Sequence, residues 1–228
     1  MQLSLDQFYF YQKAGPVRRT RRDLPHWQQE GVCAFVTLRL VDSLPESVLG
    51  AWAGARAAWL RAHGIDPACS AWRDELEVLA EDTVAEFHRT FTQRLHELLD
   101  AGHGGCFLRL AEARKIAEKA LMHWQGERYL LAGWVIMPNH LHVLVQPLEG
   151  YQILHIGESW KRFTAREINR LLSRRGHFWQ GEGWDHLLRS AVYLRKYRRY
   201  IRGNPVKAGI MEGDFTLWLP EIVGLKEA

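Results

Sequence analysis

Tyr129-Leu130-Leu131-Ala132-Gly133-Trp134-Val135-Ile136, then Met137-Pro138-Asn139, then His140-Leu141-His142-Val143-Leu144-Val145-Gln146, is the stretch on which the fold turns. Two apolar runs joined by only three residues read as paired strands of an antiparallel hairpin. Side chains alternate across a strand, so His140 and His142 share one face while Leu141 points to the other. Two imidazoles that close offer a pocket for a divalent cation, and Pro138-Asn139 sets them at the mouth of the hairpin. The same pair also suits polar positions on a half-exposed sheet.

Working outward, Val32 to Val41 (VCAFVTLRLV) is β-branched and apolar with period-two character, and reads as another strand. Pro45 to about Ala62 has helical spacing, and Thr83 to Leu99 forms a second helix capped by Asp82 or Thr83. His63 to Asp74 looks like a loop between them. Leu108 to Trp124 is an alanine-rich helix, and a basic helix runs from about Tyr151 to Ser173, closed by Arg175-Gly176. After extended pieces at His177 to Gln180 and Trp184 to Arg189, the last helix spans about Ala191 to Gly203. Asn204-Pro205 is expected to stop it, because proline disfavours the α region in the residue before it. This order predicts an α+β fold, an antiparallel sheet covered by helices on one face. The expected organisation is a basic N-terminal arm over 1–31, a main domain over 32–210 with a helical elaboration at about 46–124, and a C-terminal tail over 211–228.

In the final helix Tyr193, Tyr197, Tyr200 and Asn204 fall at i, i+4, i+7 and i+11, on one stripe. Such a stripe often means packing. Arg195, Lys196, Arg198, Arg199 and Arg202 make this helix strongly basic, however, and a tyrosine with an ordinary pKa of about 10 becomes a useful nucleophile only beside a metal or a cation. Asn204, one turn beyond Tyr200, could reach the same metal through its amide oxygen.

The net charge of +4 is unevenly spread: basic residues gather at Arg18, Arg19, Arg21 and Arg22, from Lys161 to Arg175, and from Arg189 to Lys207. Clustered cations favour a phosphate-rich partner, through counterion release from nucleic acid. Cys33, Cys69 and Cys106 lack CxxC spacing, which argues against a disulfide framework and against a thiolate zinc site. No stretch approaches the ~20 apolar residues of a membrane span, and the N-terminus has no signal-peptide pattern, so a cytoplasmic protein without membrane contact is expected.

Four stretches together resemble a known family. Trp134 to Val145 (WVIMPNHLHVLV) looks like the His-hydrophobic-His strand of single-tyrosine HUH transposases, and Tyr200 to Gly209 (YIRGNPVKAG) is similar to the tyrosine helix of their REP-associated branch. Trp160 to Ala165, with Trp179-Gln180 and Trp184 to Arg189, also matches that branch, as does Arg22 to Pro45 with Leu24-Pro25-His26-Trp27 and Phe35 to Leu40. Residues 46–125 contribute least. The family favours Phe or Tyr where this chain has Trp184 after Gly181-Glu182-Gly183, which keeps an aromatic.

The resemblance implies a ferredoxin-like sheet of the HUH endonuclease type. By position it makes His140 and His142 metal ligands, Asn204 the third ligand and Tyr200 the nucleophile, with Tyr193 and Tyr197 left to packing and Asp185 and His186 to supporting roles. The reaction implied is metal-assisted attack of Tyr200 on single-stranded or hairpin DNA, giving a 5′-phosphotyrosine intermediate, with Mg2+ or Mn2+ as the cation. Lys161, Arg162 and Arg166, with Arg199 and Lys207, are the expected phosphate contacts, and Trp160, Trp179 and Trp184 are candidates either for base stacking or for core. The alternatives are a domesticated hairpin DNA- or RNA-binding protein that no longer cleaves, and a metal-dependent hydrolase using water. Monomer and homodimer are both compatible with the family.

Overall fold

In the computed structural model, which describes residues 2–12, 15, 18–21, 25–69, 71–181 and 184–226, the chain divides into two units, 1–41 with 106–228 and 42–105. Arg22, Leu24, Glu182 and Gly183, which the sequence reading uses, lie outside the described residues. The first unit begins with β1 (Leu3–Ser4), β2 (Arg18–Arg21), β3 (Pro25–Gln28) and β4 (Ala34–Arg39). The second holds α1 (Glu46–Ala62), α2 (Trp72–Glu77), α3 (Glu81–Phe87) and α4 (Arg94–Asp100). The first resumes with α5 (Ala111–Met122), β5 (Tyr129–Ile136), β6 (His140–Pro147), α6 (Ile153–Leu171), β7 (Trp184–Leu187), α7 (Ala191–Lys207), β8 (Thr216–Trp218) and β9 (Ile222–Val223).

The main sheet runs β7-β4-β6-β5-β8, and every neighbouring pair is antiparallel. Numbering β4, β5, β6 and β7 as first to fourth gives the order 4-1-3-2, with helical connections after the first and third strands. That is the ferredoxin-like split βαβ arrangement, extended by β8 beside β5. The expected α+β fold and the expected hairpin are both present.

Helices lie on both faces rather than one. On one face Val36, Leu38, Leu131, Ile136, Leu141, Val143 and Val145 pack with Ala117 and Leu121 of α5 and with Ile156, Trp160 and Ile168 of α6. On the other, Cys33, Phe35, Val135 and Leu144 meet Leu194 and Ile201 of α7, with Leu3 and Phe8 from the N-terminus. Both central strands are consequently buried along their whole length. The unbroken apolar run of β5 is the mark of such a two-sided strand. Each aliphatic side chain so buried contributes about 1.5–3 kcal/mol relative to exposure.

Other expectations are corrected. The 1–31 stretch is more than a basic arm, since Leu3 and Phe8 are buried, β1 pairs in parallel with β9, and β2 pairs with β3. Nor does the C-terminus trail as a tail, because β8 joins the main sheet. α5 packs in the sheet unit, leaving 42–105 as the separate helical unit. That unit has its own small core of Leu60, Ile65, Trp72, Leu76, Phe87 and Phe91. Its expected second helix is α3 and α4 joined by a π-helical turn at His88–Gln93, and α2 begins inside the expected loop. α7 does not stop at Asn204-Pro205 but runs on to Lys207, with Pro205 inside it.

α7 is anchored to the sheet by an arginine. The β5–β6 register shifts between Leu131 and Gly133, which makes Ala132 the extra residue of a β-bulge. The buried Arg198 of α7 donates to the carbonyl of Ala132, and through Nη2 to the carbonyl of Pro220 at 2.8 Å. Gly133 follows the bulge at φ +148°, a conformation that L side chains rarely adopt, and a Cβ there would sit 2.5 Å from Leu219 Cδ2.

Two predictions follow from this anchoring and packing. Arg198→Leu leaves buried carbonyls without their donor and should lower stability by about 2–4 kcal/mol in chemical denaturation; a loss below about 0.5 kcal/mol would refute the anchor. Burial, reinforced by Tyr193, pushes the Tyr197 phenol up to about 12, against about 10 in an unfolded chain. The unfolded chain therefore loses this proton first, so stability is full below pH 10 and falls as pH rises towards 12. Tyr197→Phe should flatten that fall, and equal slopes of denaturation midpoint against pH in the two proteins would contradict it.

Candidate metal and nucleophile site

The alternation of β6 places His140 and His142 on the face that α7 covers, and both are buried. Their Nε2 atoms converge to 3.1 Å. Each ring is held from behind: His140 Nδ1 lies 2.8 Å from Asn139 Oδ1, and His142 Nδ1 lies 2.8 Å from Thr37 Oγ1. Both oxygens can accept an N–H, the arrangement that turns the two Nε2 lone pairs towards each other, as shared ligation of a cation would need.

Two nitrogens bonded to one cation at about 2.1 Å stand about 3.0–3.4 Å apart for octahedral or tetrahedral angles, so the observed 3.1 Å suits shared ligation. Among the described residues no group of three or more His, Cys, Asp or Glu could hold a metal. The donor set here is two imidazoles, with the Asn204 amide and substrate oxygens available to complete it. Such mixed nitrogen and oxygen donors fit Mn2+ at least as well as Mg2+.

α7 brings its stripe to the same place. Tyr200 Oη lies 3.4 Å from His142 Nε2, and Asn204 Nδ2 donates to Tyr200 Oη at 3.3 Å. That contact needs residues 200 and 204 on one helical turn, which is why the continuation of α7 through Pro205 matters. Phe35 packs the cluster from β4: it stacks on His142 at 5.0 Å and on Tyr197 at 4.4 Å, and meets Tyr200 edge-on at 5.8 Å. Tyr197 is thus a packing residue whose proton is held tightly.

The other expected residues are distributed more widely. Lys161, Arg162 and Arg166 sit on α6, across the sheet from Tyr200; Lys161 Nζ donates to Gly181 O at 2.6 Å and Arg166 pairs with Glu167 at 2.7 Å. Arg199 and Lys207 are exposed on α7. Trp160 and Trp179 are core residues, and their indole N–H groups donate to Tyr129 Oη and Thr164 Oγ1 respectively, which removes them as base-stacking platforms. The side chains of Trp184 and Asp185 lie outside the described ones. His186, opposite Phe35 on β7, has its ring centre 6.0 Å from that of Tyr197.

Sequence reasoning missed Thr37 and Asn139. Asn139 stands next to the histidine pair, so its short polar side chain was a usable signal. Thr37 had none, since only the β4–β6 register puts it opposite His142. Arg39, opposite His140 in the same register, was also missed.

No family model matches the chain. Over 111 residues, 44% of its length, it is 32% identical to a protein of Haemophilus influenzae described as "Putative REP-associated tyrosine transposase", and spans 61% of that relative. Among solved structures it is similar to that of a REP-associated tyrosine transposase bound to a REP hairpin, with a TM-score of 0.42 and 16% identity over 85% of this chain and 75% of that one. No helix among the described residues is long and apolar enough to cross a membrane. By sequence the chain is similar to a protein described as a putative REP-associated tyrosine transposase, the family that its motifs resemble.

Proposed function

We propose that this chain is a divalent-cation-dependent endonuclease and strand transferase that acts on single-stranded DNA carrying a hairpin. The observation that carries this reading is the convergence of Tyr200 Oη, His142 Nε2 and His140 Nε2 at steps of 3.4 and 3.1 Å. The relative's name points to the same chemistry.

His140 and His142 would hold the cation, Mg2+ or Mn2+, with Asn204 Oδ1 as a third protein ligand. When bound, the cation supplies charge stabilisation to the phosphate oxygens of the substrate. Thr37 and Asn139 keep the imidazoles in the tautomer that presents Nε2. Asn204 Nδ2 holds the phenol oxygen of Tyr200. That oxygen attacks one phosphate; the Oη–P bond forms as the P–O3′ bond breaks, the phenol proton departs to water, and the leaving 3′ oxygen takes up a proton. The phosphodiester energy is kept in a 5′-phosphotyrosine link, which a 3′-hydroxyl can later attack to rejoin strands. Arg199 and Lys207 on α7 would contact the backbone beside this centre, while Lys161, Arg162 and Arg166 on α6 would serve DNA that reaches the other face of the sheet.

The decisive experiment incubates the protein with a labelled hairpin bearing unpaired flanks, with Mn2+ or Mg2+, and resolves the products on a denaturing gel. Wild type should yield protein-linked DNA, and Tyr200→Phe and His142→Ala should yield none. Cleavage without an adduct would point to water as nucleophile, and binding without cleavage to a pure DNA-binding role. Cation binding to the folded state should also raise the melting temperature as Mn2+ is titrated, by mass action. The rise should vanish in a His140→Ala, His142→Ala double variant; an equal rise there would place the cation elsewhere.

A further inference from the structure

We propose that Arg39 is a further substrate-binding residue of this centre, contacting a non-bridging oxygen of the phosphate that Tyr200 attacks; this rests on the reading above. Arg39 is the cross-strand partner of His140, as Thr37 is of His142. The 2.8 Å approach of Thr37 Oγ1 to His142 Nδ1 shows which face these side chains occupy. Residues two apart on a strand share a face, so Arg39 projects beside His140 on that face. Directly opposed residues have their Cβ atoms about 4.5–5.5 Å apart, and an arginine reaches well beyond that.

Two further observations point to an anion. The Nη1 atom of Arg39 is buried and has no hydrogen-bond partner among the described residues, an arrangement that folding alone disfavours. The residue as a whole is partly exposed. β7 begins at Trp184, opposite Thr37, and beside Arg39 its place is taken by the 178–180 segment, whose Gln180 N donates to the Arg39 carbonyl at 3.0 Å and so leaves the Arg39 side chain to the face. The fixed fork of a guanidinium matches the paired oxygens of a phosphodiester. His140 and His142 would add no net charge as imidazole ligands of a cation, so Arg39 would supply a positive charge from the protein itself at the point where negative charge grows.

The test uses full-length wild type, Arg39→Met and Arg39→Lys, with a series of flanked hairpins each carrying one neutral methylphosphonate linkage. Tyr200→Phe versions allow binding to be read without cleavage. In the Arg39-containing protein, neutralising one linkage should weaken binding about ten- to a hundredfold, and Arg39→Met should show no such loss at that linkage. With unmodified DNA, single-turnover adduct formation should fall roughly a hundredfold or more in Arg39→Met and be partly restored in Arg39→Lys. Mn2+ affinity, measured by electron paramagnetic resonance, should be unchanged. Arg39→Met should melt no lower than wild type, since it removes a buried donor, Nη1, that makes no hydrogen bond. Identical methylphosphonate profiles in the two proteins would overturn the assignment, as would a lower melting temperature with an unchanged profile. If wild type forms no adduct, the proposed reaction falls, but the binding profiles still decide whether Arg39 holds a phosphate.

Discussion

The antiparallel pairing of β4 with β6 puts Thr37 opposite His142, Arg39 opposite His140 and Phe35 opposite Leu144, and the site follows from that register. A slip of one residue would turn every side chain of the slipped strand to the other face. Thr37 would then leave the His142 ring, and the Phe35 stack would break. The register is held by burial, because β6 is covered on both faces and has no exposed alternative. The core therefore orients the imidazoles.

α7 is the second constraint. It must lie against the sheet at one height and one rotation for Tyr200 to meet His142, and two features provide this. Leu194 and Ile201 pack on the sheet and supply non-directional attraction. Arg198 reaches the carbonyl exposed by the bulge at Ala132, which is directional and fixes the position along the helix. A bulge would otherwise leave a buried carbonyl unsatisfied, so the defect in the strand and the cation on the helix stabilise one another. The basic character of α7 thus has two parts: Arg198 turns inward as an anchor, while Arg199 and Arg202 stay on the exposed surface.

The two faces of the sheet divide the labour. α5 and α6 close one face with a dry core into which Trp160 and Trp179 are absorbed. α7 closes the other, where Asn139, His140, His142, Thr37, Tyr200 and Asn204 form a connected polar set, while Gln146 and Arg198 bond backbone groups. Each residue of that set meets another at hydrogen-bonding distance, which favours keeping polar groups in so buried a place.

Local periodicity determines a good deal of this chain. His140 and His142 had to share a face because strands alternate, and Tyr200 and Asn204 had to share a stripe because helices repeat every 3.6 residues. A three-residue link between two apolar runs had to make a hairpin. These are relations over a few residues, written directly into spacing. What spacing could not contain was any relation between distant segments: that α7 covers the face opposite α6, that Thr37 backs His142 across 105 residues of chain, that Arg39 stands beside His140, or that the last strands complete the sheet. Even the end of α7 was decided this way, since Pro205 is buried against the fold and packing outweighed its local preference. Local order is set by backbone sterics and repeat, whereas the register of distant strands is set by which apolar surfaces can be buried together, and that is a property of the whole chain.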